Sequence, residues 1–302
     1  MNKIFLKTTL GHEIAVYIYD DVENPKAVIQ IVHGASEHFT RYEEFISFLN
    51  RNGYLVIGND ILGHGDSCHA DGKYIYFEKD EAFESIVMVK EYVEKTYSNL
   101  PFYLLGHSMG SFLARKLLID YPQTYSKAII SGTTSMGAML IGSAVLLSKI
   151  TRVFRGPKGI SPLLNALGMG NLPKALIKDK LMTKDEMWIT HDIAIGEYYR
   201  NSHICGEDFT VSSYQGMFSC ISYVSKEKNI LKGNKNIPIL FISGNEDPLS
   251  HYGKDIEKTV KLYQKAGYSF VDANVYEHMR HEVLNEIDRA KVYNDCLRHF
   301  NS

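Results

Sequence analysis

A chain of 302 residues, 45% hydrophobic and 23% charged, has the composition of an ordinary globular protein and enough length for one large core carrying an insertion. Its 33 basic and 35 acidic side chains leave a net charge of −2, which gives no electrostatic ground for nucleic-acid binding or a basic membrane-binding patch. The cysteines Cys68, Cys205, Cys220 and Cys296 are widely spaced with no C-x-x-C pair, so neither a zinc site nor a disulfide framework is expected and they read as reduced, packed thiols.

The apolar run at 4–6 is too short for a signal peptide or an anchor, and no run approaches a membrane span, so a cytoplasmic location is expected. Residues 4–8 and 13–19 read as a hairpin around a turn at Leu10-Gly11, the second strand alternating at Ile14, Val16 and Ile18. Residues 28–32 form a short apolar run broken only by Gln30. The spacing of Phe45, Phe48 and Leu49 predicts a helix over 41–52, stopped by Gly53. Then follow a strand at 54–57, a helix over 77–97, a strand at 102–105, a helix over 109–121 halted by Pro122, and a strand at 127–130. The pattern breaks at 133–235, where helix-like stretches carry scattered Gly and Pro, and resumes with a strand at 237–242, a helix over 255–266, a strand at 270–276 and a helix over 286–300. Buried, non-alternating strands separated by helices predict an α/β protein with a mostly parallel central sheet and helices on both faces. The expected organisation is a core in two parts, 1–132 and 236–302, with a helical cap or lid insertion at 133–235.

Gly106-His107-Ser108-Met109-Gly110 fits G-x-S-x-G between a predicted strand and a predicted helix. That setting resembles the nucleophile elbow of the α/β-hydrolase fold, in which a strained turn exposes the serine hydroxyl and flanking glycines leave room for it. Ser108 is the candidate nucleophile. In that fold an early loop supplies one N–H to the developing oxyanion, and the residue after the nucleophile supplies the other; here these are Ala35, in the loop His33-Gly34-Ala35-Ser36-Glu37-His38, and Met109. His33 reads as a buried brace, and Glu37 and Arg41 are spaced for a bracing ion pair.

The fold's chain order, Ser then Asp or Glu then His, places the acid after the strand at 237–242, at Asp247, with Glu246 as the alternative. The base follows the last strand. His281 is preferred over His278 because it lies further into the loop that must reach back over Ser108; His278 then braces the loop. His12, His69, His191 and His299 have no chemical context and read as surface residues.

Together these segments resemble the monoacylglycerol lipase and lysophospholipase branch of the α/β-hydrolases, the serine aminopeptidase-like hydrolases. The resemblance rests on His33 to His38 with Arg41-Tyr42, Asp60-x-x-Gly63-His64-Gly65-x-Ser67, Gly106 to Gly110, Gly244-x-x-Asp247 with Tyr252-Gly253, and His281-Glu282. It spans nearly the whole chain. Trp188-Ile189-Thr190-His191-Asp192 and Tyr199-Arg200-Asn201-Ser202-His203 resemble the branch's cap, departing from it at His191, where Arg is common, and at Ser202-His203, where Asp-Pro is usual. The resemblance implies hydrolysis of one acyl chain from a glycerol or glycerophospholipid head, with no cofactor or metal, and a bracing role for Asp60 and the loop 63–67. The apolar stretch 138–150, with Lys149 as its only charge, either packs on the core or walls an acyl pocket at Leu146 and Leu147 and touches lipid aggregates. A short-chain carboxylesterase or aminopeptidase of the same fold is the alternative, and a non-catalytic receptor a third reading. The sequence assigns no oligomeric state.

Overall fold

The computed structural model describes residues 1–67, 75–78 and 80–302, so Cys68 and His69 lie outside the described residues. The strands β1 (Asn2–Lys7), β2 (Glu13–Tyr19), β3 (Ala27–Val32), β4 (Tyr54–Asn59), β5 (Phe102–His107), β6 (Lys127–Ser131), β7 (Ile239–Gly244) and β8 (Val271–Tyr276) form one sheet in the order β1-β2-β4-β3-β5-β6-β7-β8. β1 and β2 are the expected hairpin, with Leu6 opposite Ile14, and β2 runs antiparallel to β4. The pairings from β4 onward are parallel. This is the α/β-hydrolase fold.

Successive strand residues point to opposite faces, and each face has its own helical cover. Ala27, Ile29 and Ile31 of β3 join one core with Phe45 and Leu49 of α1 (Glu43–Arg51) and Val292 and Phe300 of α11 (Arg289–Asn301). Val28 and Val32 join the other core with Ile86 and Val89 of α2 (Glu81–Thr96) and Leu113 and Leu117 of α3 (Met109–Asp120). Fully burying one such side chain contributes about 1.5–3 kcal/mol. Gln30, the polar interruption in β3, is satisfied on both sides of its amide: Nε2 donates to the Ile86 carbonyl at 2.9 Å, and Oε1 accepts from the Tyr125 hydroxyl at 2.7 Å.

Between β6 and β7 stand α4 (Ala138–Arg155), α5 (Pro162–Gly168), α6 (Leu172–Lys178), α7 (Ile193–Asn201), α8 (Val211–Val224) and α9 (Glu227–Ile230), and none of the described residues there joins the sheet. α8 packs on both α3 and α4, so the end of this stretch is continuous with the core. α10 (Lys254–Lys265) links β7 to β8. Among the described residues no helix is long and apolar enough to cross a membrane.

Two helices start three or more residues later than expected. α2 begins at Glu81 and not at 77; the N–H groups of Phe77 and Glu78 donate to Ser213 Oγ at 3.2 Å and to the Glu81 carboxylate at 2.7 Å. α11 begins at Arg289 and not at 286; Glu286 is extended, at φ −84° and ψ 167°, and its carboxylate accepts from the N–H groups of Arg280 and His191, at 2.8 and 3.1 Å. Three histidines read as surface residues are engaged instead, His12 among them, its Nε2 3.4 Å from a Glu81 oxygen. His191 Nε2 sits 3.0 Å from a Glu246 oxygen, and burial lowers His299 to a pKa of about 4.

Candidate active site

Ser108 is the single residue between β5 and α3, and its backbone is forced to φ 53°, ψ −120°. A non-glycine residue held there stores strain of order 1–3 kcal/mol. The strain persists because the turn has no slack. A Cβ at Gly106 would lie 2.4 Å from the Gly110 carbonyl oxygen, and one at Gly110 would lie 2.1 Å from that of Val32. The turn thus presses the first turn of α3 against the end of β3, and Ser108 N–H is anchored on the Ser131 carbonyl at 2.9 Å.

The structure brings Ser108, His281 and Asp247 together from three strand ends. His281 Nε2 lies 2.8 Å from Ser108 Oγ, and its Nδ1 lies 3.0 Å from Asp247 Oδ2. Asp247 is fully buried and also accepts from Leu249 N–H at 2.9 Å and Ser243 Oγ at 3.2 Å. Burial alone would lower the His281 pKa, but the Asp247 carboxylate outweighs it and holds the pKa above its ordinary 6.5, with Glu282 and Glu37 adding to the effect. Burial likewise favours the neutral Asp247 carboxyl, yet His281 keeps its pKa below 3.8. The alternatives are left outside. His278 is 88% exposed and pairs loosely with Glu246 at 3.5 Å, while Glu246 is also engaged by His191.

The loop at 33–38 passes directly over Ser108, since a Cβ at Gly34 would meet Ser108 Cβ at 3.0 Å. Among the described residues, neither the Ala35 N–H nor the Met109 N–H donates a hydrogen bond. His33 is a buried brace: its Nε2 accepts from Ile61 N–H at 2.8 Å, its Nδ1 donates to the Gly34 carbonyl at 2.7 Å, and burial holds its pKa well below 6.5. Asp60 accepts from the N–H groups of Phe39 and Asp66, each at 2.8 Å, and from the Tyr17 hydroxyl at 2.9 Å. Glu37 and Arg41 form the expected ion pair at 2.5 Å, and the guanidinium also grips both oxygens of Glu282 at 2.7 and 2.6 Å. Burial alone would raise the Glu282 carboxyl; Arg41 overrides it and holds it below its ordinary range.

Two residues that sequence reasoning did not place at the site belong to it. Trp188 stacks on the His281 ring, centroids 4.8 Å apart and planes at 23°. Arg280 is 1% exposed and holds the Trp188 segment in place by donating to the carbonyls of Leu181 (2.8 Å), Met187 (2.8 Å) and Thr190 (3.2 Å) and to Glu186 Oε2 (2.5 Å). The reverse contact, Glu282 N–H to the Ile189 carbonyl at 2.7 Å, closes the clamp. Trp188 is the one tryptophan of the chain, which was a signal; Arg280 had none, because the partners of its side chain lie 90 or more positions away. Trp188 also lines a cavity of about 480 Å³ together with Ser36, Met169, Met182, Met187 and Phe209. Leu146 and Leu147 are not brought to this site. Leu146 is 59% exposed, and Leu147 packs against the core that holds α2 and α3. On α4 the apolar residues divide between solvent and core, and neither leucine faces this cavity.

Residues 23–288 match the profile of the family described as serine aminopeptidase, S33. The chain is 26% identical over 279 residues to the human monoglyceride lipase, covering 88% of this chain and 80% of that one. It is 26% identical over 275 residues to the phospholipase YtpA of Bacillus subtilis, covering 90% and 93%. A carboxyl esterase from Bacillus coagulans, solved in complex with glycerol, superposes with a TM-score of 0.89 at 22% identity over 99% of this chain and 97% of that one. A soluble variant of the monoglyceride lipase of Saccharomyces cerevisiae, solved with a substrate analog, superposes at 0.76 and 17% identity, over 98% and 93%. The match of the family profile over most of the length decides the assignment: the chain belongs to the serine aminopeptidase S33 family, as a monoacylglycerol lipase-like α/β-hydrolase and a carboxylic ester hydrolase.

Proposed function

We propose that Ser108, His281 and Asp247 form a Ser-His-Asp triad that hydrolyses a single-chain lipid ester, a monoacylglycerol or a lysophospholipid, through an acyl-enzyme. The observation that carries this reading is the one imidazole poised between Ser108 Oγ at 2.8 Å and Asp247 Oδ2 at 3.0 Å. His281 Nε2 takes the Ser108 proton as Oγ attacks the acyl carbon, then returns it to the departing alcohol. Asp247 fixes the tautomer with the proton on Nδ1 and stabilises the imidazolium. The N–H groups of Ala35 and Met109 receive the oxyanion, each contributing about 3 kcal/mol in a site closed to water. Water then enters the same cycle and releases the acid. No step calls for a cofactor or a metal.

The acyl chain is assigned to the 480 Å³ cavity beside Trp188, whose methionine and aromatic walls offer about 0.8 kcal/mol for each methylene taken out of water. In this reading the helices within 133–235 act as a cap over the triad. α4 exposes Met139, Leu140, Leu146, Ile150, Val153 and Phe154 to solvent, which suits it to rest transiently on a lipid surface. The free thiols of Cys205, Cys220 and Cys296 suit a reducing compartment such as the cytoplasm.

A second reading draws on the same cavity. Glu207 and Asp208 share its lining, and paired carboxylates there could clamp the free amine of a peptide substrate. One set of assays separates the two. Ser108→Ala should abolish both ester turnover and fluorophosphonate labelling while leaving the Tm near wild type; labelling that survives would remove Ser108 from the mechanism. For the wild type, kcat/KM on monoacylglycerols should rise over the first several added carbons and then plateau. A maximum at acetyl or butyryl esters would make the enzyme a short-chain esterase. Preference for amino-acyl amides with a free amine over any glyceride would make it an aminopeptidase.

A further inference from the structure

A second cavity, of about 500 Å³, lies between α3, α8 and one flank of α4, and contains none of the triad. Met109, Phe112, Leu113 and Lys116 of α3 face it, a stripe with the spacing of one helical face. The first three are 3%, 2% and 5% exposed, whereas Lys116 reaches the surface. The cavity is therefore apolar at the end beside Ser108 and cationic about 10 Å further along the helix, at 1.5 Å per residue. Across from this stripe stand Met217 and Tyr223 of α8 with Cys220 between them, and Lys226 lies just past the end of α8. α4 contributes Val145 and, one turn on, Lys149.

The cations are not equivalent. Lys116 is already paired with Asp120 and lies 3.8 Å from the centre of the Phe83 ring. Lys149 and Lys226 form no ion pair among the described residues. Among the described lining residues one carboxylate, Asp80, stands against the ammonium groups of Lys116, Lys149 and Lys226, so positive charge exceeds negative there. A closed apolar end, a cationic mouth and this volume fit one kind of small molecule: a single chain that ends in an anion.

We infer that this cavity binds a long-chain carboxylate, with its chain along Phe112 and Leu113 toward Met109 and its head group between Lys149 and Lys226. The Met109 side chain forms the inner wall, so occupancy is felt beside the nucleophile and lowers turnover. The binding stands apart from the proposed reaction; only the idea that the enzyme makes its own regulator, as released acid, rests on that reading.

Oleate, kept below its micelle concentration and titrated calorimetrically into the full chain, tests the site. The double variant Lys149→Glu/Lys226→Glu changes only exposed side chains and should raise the oleate Kd about tenfold or more, a loss of about 1.4 kcal/mol. Cys220→Trp, which fills the cavity, should do the same, its Tm being measured alongside. Met182→Trp, which fills the cavity assigned to the acyl chain, should leave the oleate binding that depends on Lys149 and Lys226 as it is. Turnover of a short soluble acetate should be unchanged in the Lys149→Glu/Lys226→Glu protein while its inhibition by oleate disappears. Oleate affinity unchanged in the double variant, or abolished by Met182→Trp, would overturn the inference. Either result is read whether or not monoacylglycerol proves to be the substrate.

Discussion

The choice between two histidines three residues apart is made by the backbone. His278 takes φ 57° and its N–H is held on Asn245 Oδ1 at 2.9 Å, which turns its ring to solvent; His281 follows in the buried stretch that crosses Ser108. Asp247→Asn should therefore lower kcat by about 10⁴, because the amide favours the wrong imidazole tautomer. His281→Ala should be as damaging, and His278→Ala should stay close to wild type in steady-state assays; the reverse order of severity would reassign the base. The pH profile follows from the environment of the same ring. Asp247, Glu282 and Glu37 stabilise the imidazolium more than burial opposes it. Since the base works only when neutral, kcat/KM should rise with pH through an apparent pKa above 6.5, and a midpoint below 6.5 would mean that Asp247 is not ionised beside it. These positions were legible in the sequence because each lies in a short motif directly after a predicted strand. Trp188 and Arg280 were less so, since what they do depends on partners brought near only by the fold.

At the scale of elements, the clamp on the base loop has a measurable strength. The segment 181–191 has little regular structure of its own, and its order depends on Arg280, on Thr190 Oγ1 donating to the Asn285 carbonyl at 2.8 Å, and on the Glu282–Ile189 contact. Arg280→Met would keep the volume but leave buried carbonyls and the Glu186 carboxylate without their donor, at a cost of about 3 kcal/mol. It should also raise KM for long-chain esters more than for acetates, because Met182, Met187 and Trp188 wall the cavity from this segment. An unchanged Tm with a uniform fall in activity would refute the clamp. The run of strands and helices was legible from period and stop signals, whereas the late starts of α2 and α11, where Glu81, Ser213 and Glu286 accept from backbone N–H groups, were not. Leu146 and Leu147 mark the limit for α4: an apolar stretch reads the same whether a face meets core, cavity or solvent.

For the whole molecule, the two cores hold histidines in neutral form. Burial lowers His107 to a pKa of about 3 and His38 and His64 to about 4, and holds His33 well below 6.5. The unfolded chain binds protons at these positions below about pH 6.5 while the folded one does not, so their contribution to stability is lost as the pH falls from 6.5 toward 4. His281 works the other way, since its raised pKa stabilises the fold below 6.5 and that contribution is lost as the pH rises through the folded value. With these four and His299, likewise lowered to about 4, against one, the Tm should fall steadily between pH 6.5 and 4 in calorimetry; a flat Tm across that window would mean these rings are solvated.

The stacking of Trp188 on His281 has an optical consequence. As the one indole in the chain, Trp188 is the only residue that emits when excitation is set beyond tyrosine absorption, and it lies 4.8 Å from the ring of the proposed base. A protonated imidazole quenches indole emission far more than a neutral one. Intrinsic fluorescence should therefore brighten with rising pH along the same curve as kcat/KM. It should lose that dependence in His281→Ala, and shift when an acyl chain enters the cavity that Trp188 lines. The protein thus carries a built-in, label-free reporter of its own protonation state, readable in stopped flow before any product accumulates.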